Sequence, residues 1–490
     1  MKTNNKTFYI TTTLPYVNAD LHIGHSLEFI RADVVARYKK ALGYDVYFNT
    51  GTDEHGMKIY EKAIENNLSP QEFVDKSFLN FKNSVKIFGV SKDVNYIRTT
   101  DKKHERIAKA FWMRCFENGF IEKRNYEARY CVGCESEKTD SDLVEGECPD
   151  HPGRPLEIIK EENYFFKYSL FTEKLKEMYK NNPSFVVPDF RFNEIKAFVD
   201  RGLQDFSISR LKSKMPWGIE VPNDPEHVMY VWFDALTNYI STLADEGVET
   251  LEDLVKSEKF QKYWIEGSPV QYCGKDNLRF QSAMWQAMLL AAGVPNSNKI
   301  IINGLVMGGG GVKMSKTLGN VINPKNIVEE YGTDALRFFM LSEISSFEDS
   351  PVTMERFKDS YNAKLANGLG NLTSRILQMS SNYGVALKEE DMNIEYFTDE
   401  IEEMENFDLA KFVNNIWMQV KDLNEFIQDK EPFKKIKINE TEAKADVYFL
   451  LKGLYNTASA LEIIIPETAQ KIKELIKNNQ KPEVPLFLRK

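Results

Sequence analysis

The sequence predicts an α/β protein: a doubly wound parallel sheet, interrupted by an inserted segment and followed by an α-helical bundle. Three observations predict it. A strand–helix–strand pattern opens the chain, the same texture returns between residues 270 and 302, and beyond residue 350 apolar positions recur at helical spacing. The 490 residues also exceed what a single core supports, so several domains are expected.

Taken in order, Phe8 to Thr12 is aromatic and β-branched and reads as a strand. Leu14 to Gly24 carries turn residues. His25 to Leu42 places Leu27, Ile30, Val34 and Tyr38 at helical spacing, Gly43 is a stop, and Asp45 to Asn49 is the next strand. Helices follow near 57–67, 70–88 and 101–118. From about 119 the texture becomes short, polar and turn-rich, with a cysteine cluster inside 125–160. Val270 to Cys273 is again a strand, Asn277 to Ala292 a helix, Lys299 to Ile302 a strand and Gly308 to Gly311 a loop. Helical runs are expected at 354–380, 407–428 and 444–462. The simplest account is one Rossmann-type sheet, with halves at 1–118 and 230–320 split by a connective insertion at 119–229. A linker at 321–350 and a helical domain at 351–490 complete the expected plan.

Composition narrows the class. With 42% hydrophobic and 28% charged residues, and only 26 glycines and 18 prolines, the chain is neither disordered nor collagen-like. No apolar run reaches the roughly 18 residues of a membrane helix. The start, Met1 to Phe8, has no signal-peptide core, so a cytoplasmic protein without a membrane partner is expected. The net charge of −10 argues against a chain coated in nucleic acid, DNA included, but allows a local basic surface.

Three constellations carry chemistry. Pro15 to His25 lies between a strand and a helix, and ends in His22-Ile23-Gly24-His25. A helix N-terminus offers free N–H groups to a phosphate, Gly24 lets backbone come close, and two imidazoles three apart can donate to phosphate oxygens. Alone, the pair also fits two ordinary histidines at a helix start. Gly308-Gly309-Gly310-Gly311-Val312-Lys313-Met314-Ser315-Lys316-Thr317 suits a loop that closes over a polyphosphate, although alone it also fits a solvated basic turn. Cys131-x-x-Cys134, then Cys148-x-x-His151, has the spacing of a closed, structural zinc knuckle. Cys115 and Cys273 read as buried hydrophobes.

The first two motifs together resemble those of class I aminoacyl-tRNA synthetases, and their surroundings are similar to the methionyl branch of that family. The similar stretches are 9–57, 126–151, 228–239, 270–290, 303–340 and 361–375. The resemblance implies a ligase that joins methionine to ATP as methionyl-adenylate and passes it to tRNA(Met). It implies His22, His25, Lys313 and Lys316 as catalytic, and Pro15, Gly24, Gly274, Lys275, Asp276, Met314, Ser315 and Thr317 around ATP. It implies a methionine pocket of Leu14, Tyr16, Asp53, Trp232, Ala235, Tyr239, Gln281 and Trp285, with Asp53 on the substrate ammonium. It also implies Zn²⁺ in the knuckle, Mg²⁺ with ATP, and an anticodon surface of Asn367, Asn371, Arg375, Pro432 and Phe433. Arg210 falls in a similar segment and is either an active-site ion pair or a structural one.

The chain departs from that pattern in four places. Thr317 stands for a serine, Gln281 for a histidine beside the methionine sulfur, Leu236 for a proline, and Phe433 for a tryptophan. The insertion is too short for a hydrolytic editing domain, and no oligonucleotide-binding barrel, the appendix that dimerises some relatives, is expected after Pro466 to Gln470, so a monomer is expected. Three rivals remain: another class I synthetase such as the cysteine enzyme, a non-catalytic tRNA-binding paralogue, and a tRNA-independent nucleotidyltransferase. The closed knuckle, the intact His22, His25, Lys313 and Lys316, and the helical domain argue against them in turn.

Overall fold

The computed structural model describes residues 6–134, 136–138, 142–312, 314, 322–392 and 401–490. Six parallel strands form the central sheet, in the spatial order Asn95–Arg98, Asp45–Thr52, Thr7–Thr11, Val270–Gly274, Lys299–Asn303, Val186–Val187. Chain order reverses between Thr7–Thr11 and Val270–Gly274, which opens a crevice at the carboxyl ends of those strands.

Cores cover both faces of the sheet, so its strands carry apolar side chains to both sides, with buried polar residues such as Asn49, Thr50 and Gln271 among them. Side chains alternate between two cores with the period of two that a strand imposes. Phe8, Ile10, Phe48, Tyr272 and Ile301 point to one core, and Tyr9, Tyr47, Cys273, Ile300 and Ile302 to the other. The first core runs through the helix Ile23–Ala41 into the C-terminal helices; the second runs through Lys102–Glu117 into the insertion. The fully buried Arg337 pairs with Asp33 at 2.8 Å and donates to the carbonyls of Ile463 and Ile464, tying the first helix to the C-terminal region.

The structure refines several expectations. Val186–Val187, from inside the expected insertion, joins the sheet edge beside Lys299–Asn303. A two-residue strand is too short to carry a readable period. The helix expected from Asn277 to Ala292 is not uniform: a 3₁₀ turn at Lys275–Asn277 and a π-helical turn at Phe280–Met284 precede the α-helix Trp285–Ala292. Likewise the run 354–380 is interrupted by the π-helix Tyr361–Gly370. Apolar spacing does not distinguish α from π backbone over so few turns. The expected loop at Gly308 to Gly311 contains a 3₁₀ turn, Gly309–Gly311, with Gly310 and Gly311 at φ 73° and 75°, a region that favours glycine. Residues 324–331 and 333–342, in the expected linker, are helical. Among the described residues no helix is long and apolar enough to cross a membrane.

Candidate active site

The switch in strand order holds a cleft of about 360 Å³. Its first wall is the turn between Thr7–Thr11 and the helix Ile23–Ala41. Here the chain satisfies its own helix start: the Gly24 N–H donates to His22 Nδ1 at 3.1 Å, and the His22 N–H donates to His25 Nδ1 at 3.1 Å. Because both Nδ1 atoms accept from backbone, each neutral ring carries its proton on Nε2. The rings lie 3.8 Å apart, and burial, followed by the neighbouring His22, lowers His25 to about 3, so it is neutral at physiological pH. The cleft therefore offers two ring N–H donors beside the positive end of a helix.

One helical turn on, Glu28 also lines the cleft. Its Oε1 accepts from the Thr13 N–H at 2.6 Å and from the Thr13 hydroxyl at 2.7 Å, yet burial pushes its pKa up to about 7. Glu28 lies outside the sequence motif, though its spacing of three from His25 is a usable signal. Asn238, Asn277 and Asn303 to Val306, outside any motif, line the same cleft. Asn303 is held from behind by the fully buried Arg31, whose Nη1 donates to its Oδ1 at 2.8 Å.

The opposite end of the cleft is deeper. Leu14, Tyr16, Asp53, Trp232, Ala235, Leu236, Tyr239 and Gln281 line it, with Asp53, Ala235, Tyr239 and Gln281 buried. The turn bearing Asp53 is locked to the first wall, since the Asp53 N–H donates to the Pro15 carbonyl at 3.1 Å. Trp232 stacks on Phe280 at 3.9 Å with the rings nearly parallel. Behind this end, the fully buried Asp234 accepts from His55 Nδ1 and His104 Nε2, each at 2.7 Å. Burial acts to raise the Asp234 pKa, but the two imidazoles outweigh it and hold the carboxyl below its ordinary value. This bridge joins the turn after Asp53 to the helix Val231–Leu236, which carries Trp232 and Ala235.

The structure gathers most of the sequence-predicted residues into this cleft: Leu14, Pro15, Tyr16, His22, Gly24, His25, Asp53, Trp232, Ala235, Tyr239, Gly274, Asp276 and Gln281. Four stand elsewhere. Trp285 is fully buried against Phe111 and Tyr239 and backs the pocket instead of lining it. Lys275 pairs with Asp349 at 2.5 Å. Lys275 and Arg210 line a neighbouring cavity of about 550 Å³, separated from the cleft by Trp232. The Arg210 guanidinium donates to Ser207 Oγ and the Ser209 carbonyl and stacks on Tyr230. Met314 packs against the first core. Lys313, Ser315, Lys316 and Thr317 lie outside the described residues.

The Cys131, Cys134, Cys148 and His151 ligand atoms lie within 4.8 Å of one another. The three sulfurs stand 3.3–3.9 Å from His151 Nδ1, and Cys134 Sγ is 3.4 Å from Cys148 Sγ. A tetrahedral zinc site with Zn–S near 2.3 Å has edges of about 3.5–3.8 Å, so the donor set fits a zinc site. Gly133 is required by the same packing: a Cβ there would stand 2.5 Å from the His151 ring. Cys115 and Cys273 are fully buried, and burial pushes both thiols up. In the helical region, Asn367 and Asn371 are exposed, Arg375 is half-buried, and Pro432 is buried at the start of a short helix that leaves Phe433 exposed.

Comparison with known proteins agrees with this geometry. A family model described as tRNA synthetases class I (M) matches residues 8–155 and 152–377. The chain is 41% identical over 489 residues to a methionine–tRNA ligase of Caldanaerobacter subterraneus subsp. tengcongensis, with 96% of this chain and 74% of that protein covered. It is 37% identical over 482 residues to one of Fusobacterium nucleatum, with 95% and 74% covered. The structure of Mycobacterium tuberculosis methionyl-tRNA synthetase in complex with methionyl-adenylate superposes with a TM-score of 0.87 at 32% identity, with 96% of this chain and 94% of that chain covered. Fold, cleft and sequence agree, and the chain belongs to the methionyl-tRNA synthetase family of class I aminoacyl-tRNA synthetases.

Proposed function

We propose that this chain activates methionine with ATP and transfers it to tRNA(Met), with both steps taking place in the cleft. The observation that carries this reading is the pairing of a helix start bearing two N–H donors with a buried aromatic pocket containing a carboxylate. In it, Asp53 holds the methionine ammonium. Leu14, Tyr16, Trp232, Ala235, Tyr239 and Gln281 enclose the side chain, with Trp285 behind them. Pro15, Gly24, Gly274 and Asp276 border the nucleotide, and Lys275 acts from the adjoining cavity.

A methionine carboxylate oxygen attacks the α-phosphorus of ATP, and the bond to pyrophosphate breaks. No protein nucleophile is used. His22 and His25 donate to phosphate oxygens as charge shifts toward the leaving group. Lys313 and Lys316, with Met314, Ser315 and Thr317 around them, take the pyrophosphate charge in this reading. Mg²⁺ carried with ATP would neutralise phosphate charge. A ribose hydroxyl of the tRNA terminal adenosine then attacks the mixed anhydride carbonyl, and AMP leaves. Cys131, Cys134, Cys148 and His151 would hold Zn²⁺ as a structural ion that orders the insertion. Asn367, Asn371, Arg375 and Phe433, the last set by Pro432, suit splayed anticodon bases. The division at 118, 229, 320 and 350 belongs to the same reading.

The test is exchange of labelled pyrophosphate into ATP with a panel of amino acids. Exchange with methionine alone is expected. Exchange with a different amino acid would overturn the specificity, and none at all, from zinc-loaded folded protein, would overturn the catalytic reading.

A further inference from the structure

Behind the strand Lys299–Asn303 lies a buried cation that meets only neutral oxygens among the described residues. Arg31 is 1% exposed. Its Nη1 donates to Asn303 Oδ1 and to the Ser346 carbonyl, each at 2.8 Å, and its Nη2 donates to the carbonyls of Ile344 and Ser345 at 3.0 and 2.8 Å. The turn that supplies three of these acceptors is itself fixed. Ser346 Oγ donates to Asp408 Oδ1 at 2.7 Å and accepts from the Ala410 N–H at 3.0 Å, at the start of the helix Leu409–Lys430. Arg31 is therefore gripped from the helical region, and Asn303 is its one contact that lines the cleft.

That contact orients the Asn303 amide. A guanidinium has donors and no acceptor, so the atom facing Arg31 is Oδ1 and the opposite atom is Nδ2. Asn303 is 3% exposed, yet its Nδ2 has no hydrogen-bond partner among the described residues. Buried donors are paired with few exceptions, and an amide that served only to join helix to strand would spend both its ends within the protein. Asn303 stands in register with Gly274 of the adjoining strand, and both line the cleft.

We infer that Asn303 is a nucleotide-binding residue and Arg31 its positioning residue: Arg31 turns the unpaired Nδ2 of Asn303 into the cleft as a hydrogen-bond donor to the nucleoside of ATP. The inference rests on the proposed function, in which Gly274 and Asp276 border the nucleotide. The nucleoside is favoured over the phosphates on chemical grounds. A neutral amide supplies one directed donor, which suits an uncharged acceptor, and adenosine presents such acceptors on its ribose and its ring. The phosphates are served instead by the helix start and its two imidazoles.

The experiment reads KM for ATP, KM for methionine and inhibition by adenosine in pyrophosphate exchange, for the parent protein, Asn303→Asp and Arg31→Lys. Each variant is checked by its unfolding midpoint. Asn303→Asp keeps the shape and the acceptor for Arg31 and removes only the donor. KM for ATP and the inhibition constant of adenosine should each rise about threefold to tenfold, the scale of one hydrogen bond, with KM for methionine unchanged. Adenosine is uncharged, so its weaker binding reports the lost donor and not repulsion between the new carboxylate and phosphate. Unaltered adenosine inhibition would overturn the assignment, even if ATP alone bound more weakly. Arg31→Lys should repeat the pattern, because an ammonium has three donors and cannot serve four oxygens. In the Asn303→Asp background it should add less than about twofold, since the donor it positions is already gone. Fully additive effects would overturn the part given to Arg31; Arg31→Gln replaces Arg31→Lys if the latter does not fold. Absence of exchange by the parent protein would overturn the proposed function, and calorimetric titration of adenosine into parent and Asn303→Asp would then still decide the role of Asn303.

Discussion

The two ends of the cleft are built by opposite means. The end assigned to phosphate is local: Thr13, His22, Gly24, His25 and Glu28 lie within one strand–turn–helix unit and are organised by backbone N–H groups. The end assigned to the amino-acid side chain is assembled from residues near 14, 53, 235 and 281, supported by a second layer from 55, 104, 271, 286 and 297. The first end reorients donors that any helix start possesses. The second must bury polar groups, and each must be satisfied by a partner from another segment. A phosphate site can therefore stand on a short motif, while a selective pocket needs the whole fold.

The contrast can be broken most severely behind the deep end. Asp234→Ala would leave two buried imidazoles without their acceptor. We expect a loss of about 3–5 kcal/mol in unfolding free energy, the scale of breaking a buried polar bridge. Folded protein that remains should show a raised KM for methionine with a smaller change for ATP. A loss under about 1 kcal/mol in denaturant unfolding would show that the bridge supports little.

The other end should fail in rate and not in stability. His25→Ala removes one donor aimed at phosphate, so kcat for pyrophosphate exchange should fall about 10²–10³-fold, or roughly 2.7–4 kcal/mol. The unfolding midpoint and the KM for methionine should change little. If methionine KM rises while kcat holds, the assignment of the two ends is reversed.

The smallest effect is a pH dependence within the phosphate end, at Glu28. Its folded pKa, about 7, lies above its ordinary value of 4.5. Below 4.5 both folded and unfolded chains hold the proton. As pH rises toward 7 the unfolded chain ionises first, so stability is lost over that window and the loss is constant above it. Glu28→Gln removes this contribution. Between pH 4.5 and 8 the parent protein should lose up to roughly 3 kcal/mol relative to the variant, at 1.36 kcal/mol per pKa unit. Parallel stability profiles for the two proteins would contradict the raised value.

Much of the fold was legible because its signals are local. The strand at Phe8 to Thr12, the helix from His25 and the strands near 270 and 300 each announce themselves within a dozen residues, and the structure places them within a few residues of the expected bounds. The Cys131–His151 spacing was equally direct, since two pairs of ligands each separated by two residues define a chelating turn. Glu28 has a spacing signal, but a single carboxylate on a helix is common. Trp285 is expected in the pocket wall, whereas it is fully buried and packs against Tyr239, which lines the cleft. The π turns at Phe280–Met284 and Tyr361–Gly370 left no trace in the apolar pattern.

By itself, then, the sequence determined the layered α/β class, the helical C-terminal region, the turn proposed to meet phosphate and the ligand set of the knuckle. All depend on interactions between near neighbours, whose spacing is written in the chain. Only the tertiary structure decided that Val186–Val187 completes the sheet, that Arg31 orients Asn303, that Asp234 joins His55 to His104, and that Gln271 directs Gln281 toward Tyr239. Those contacts are between buried polar groups far apart in sequence. A buried donor must find an acceptor, but which acceptor is available is settled only when distant segments pack against one another.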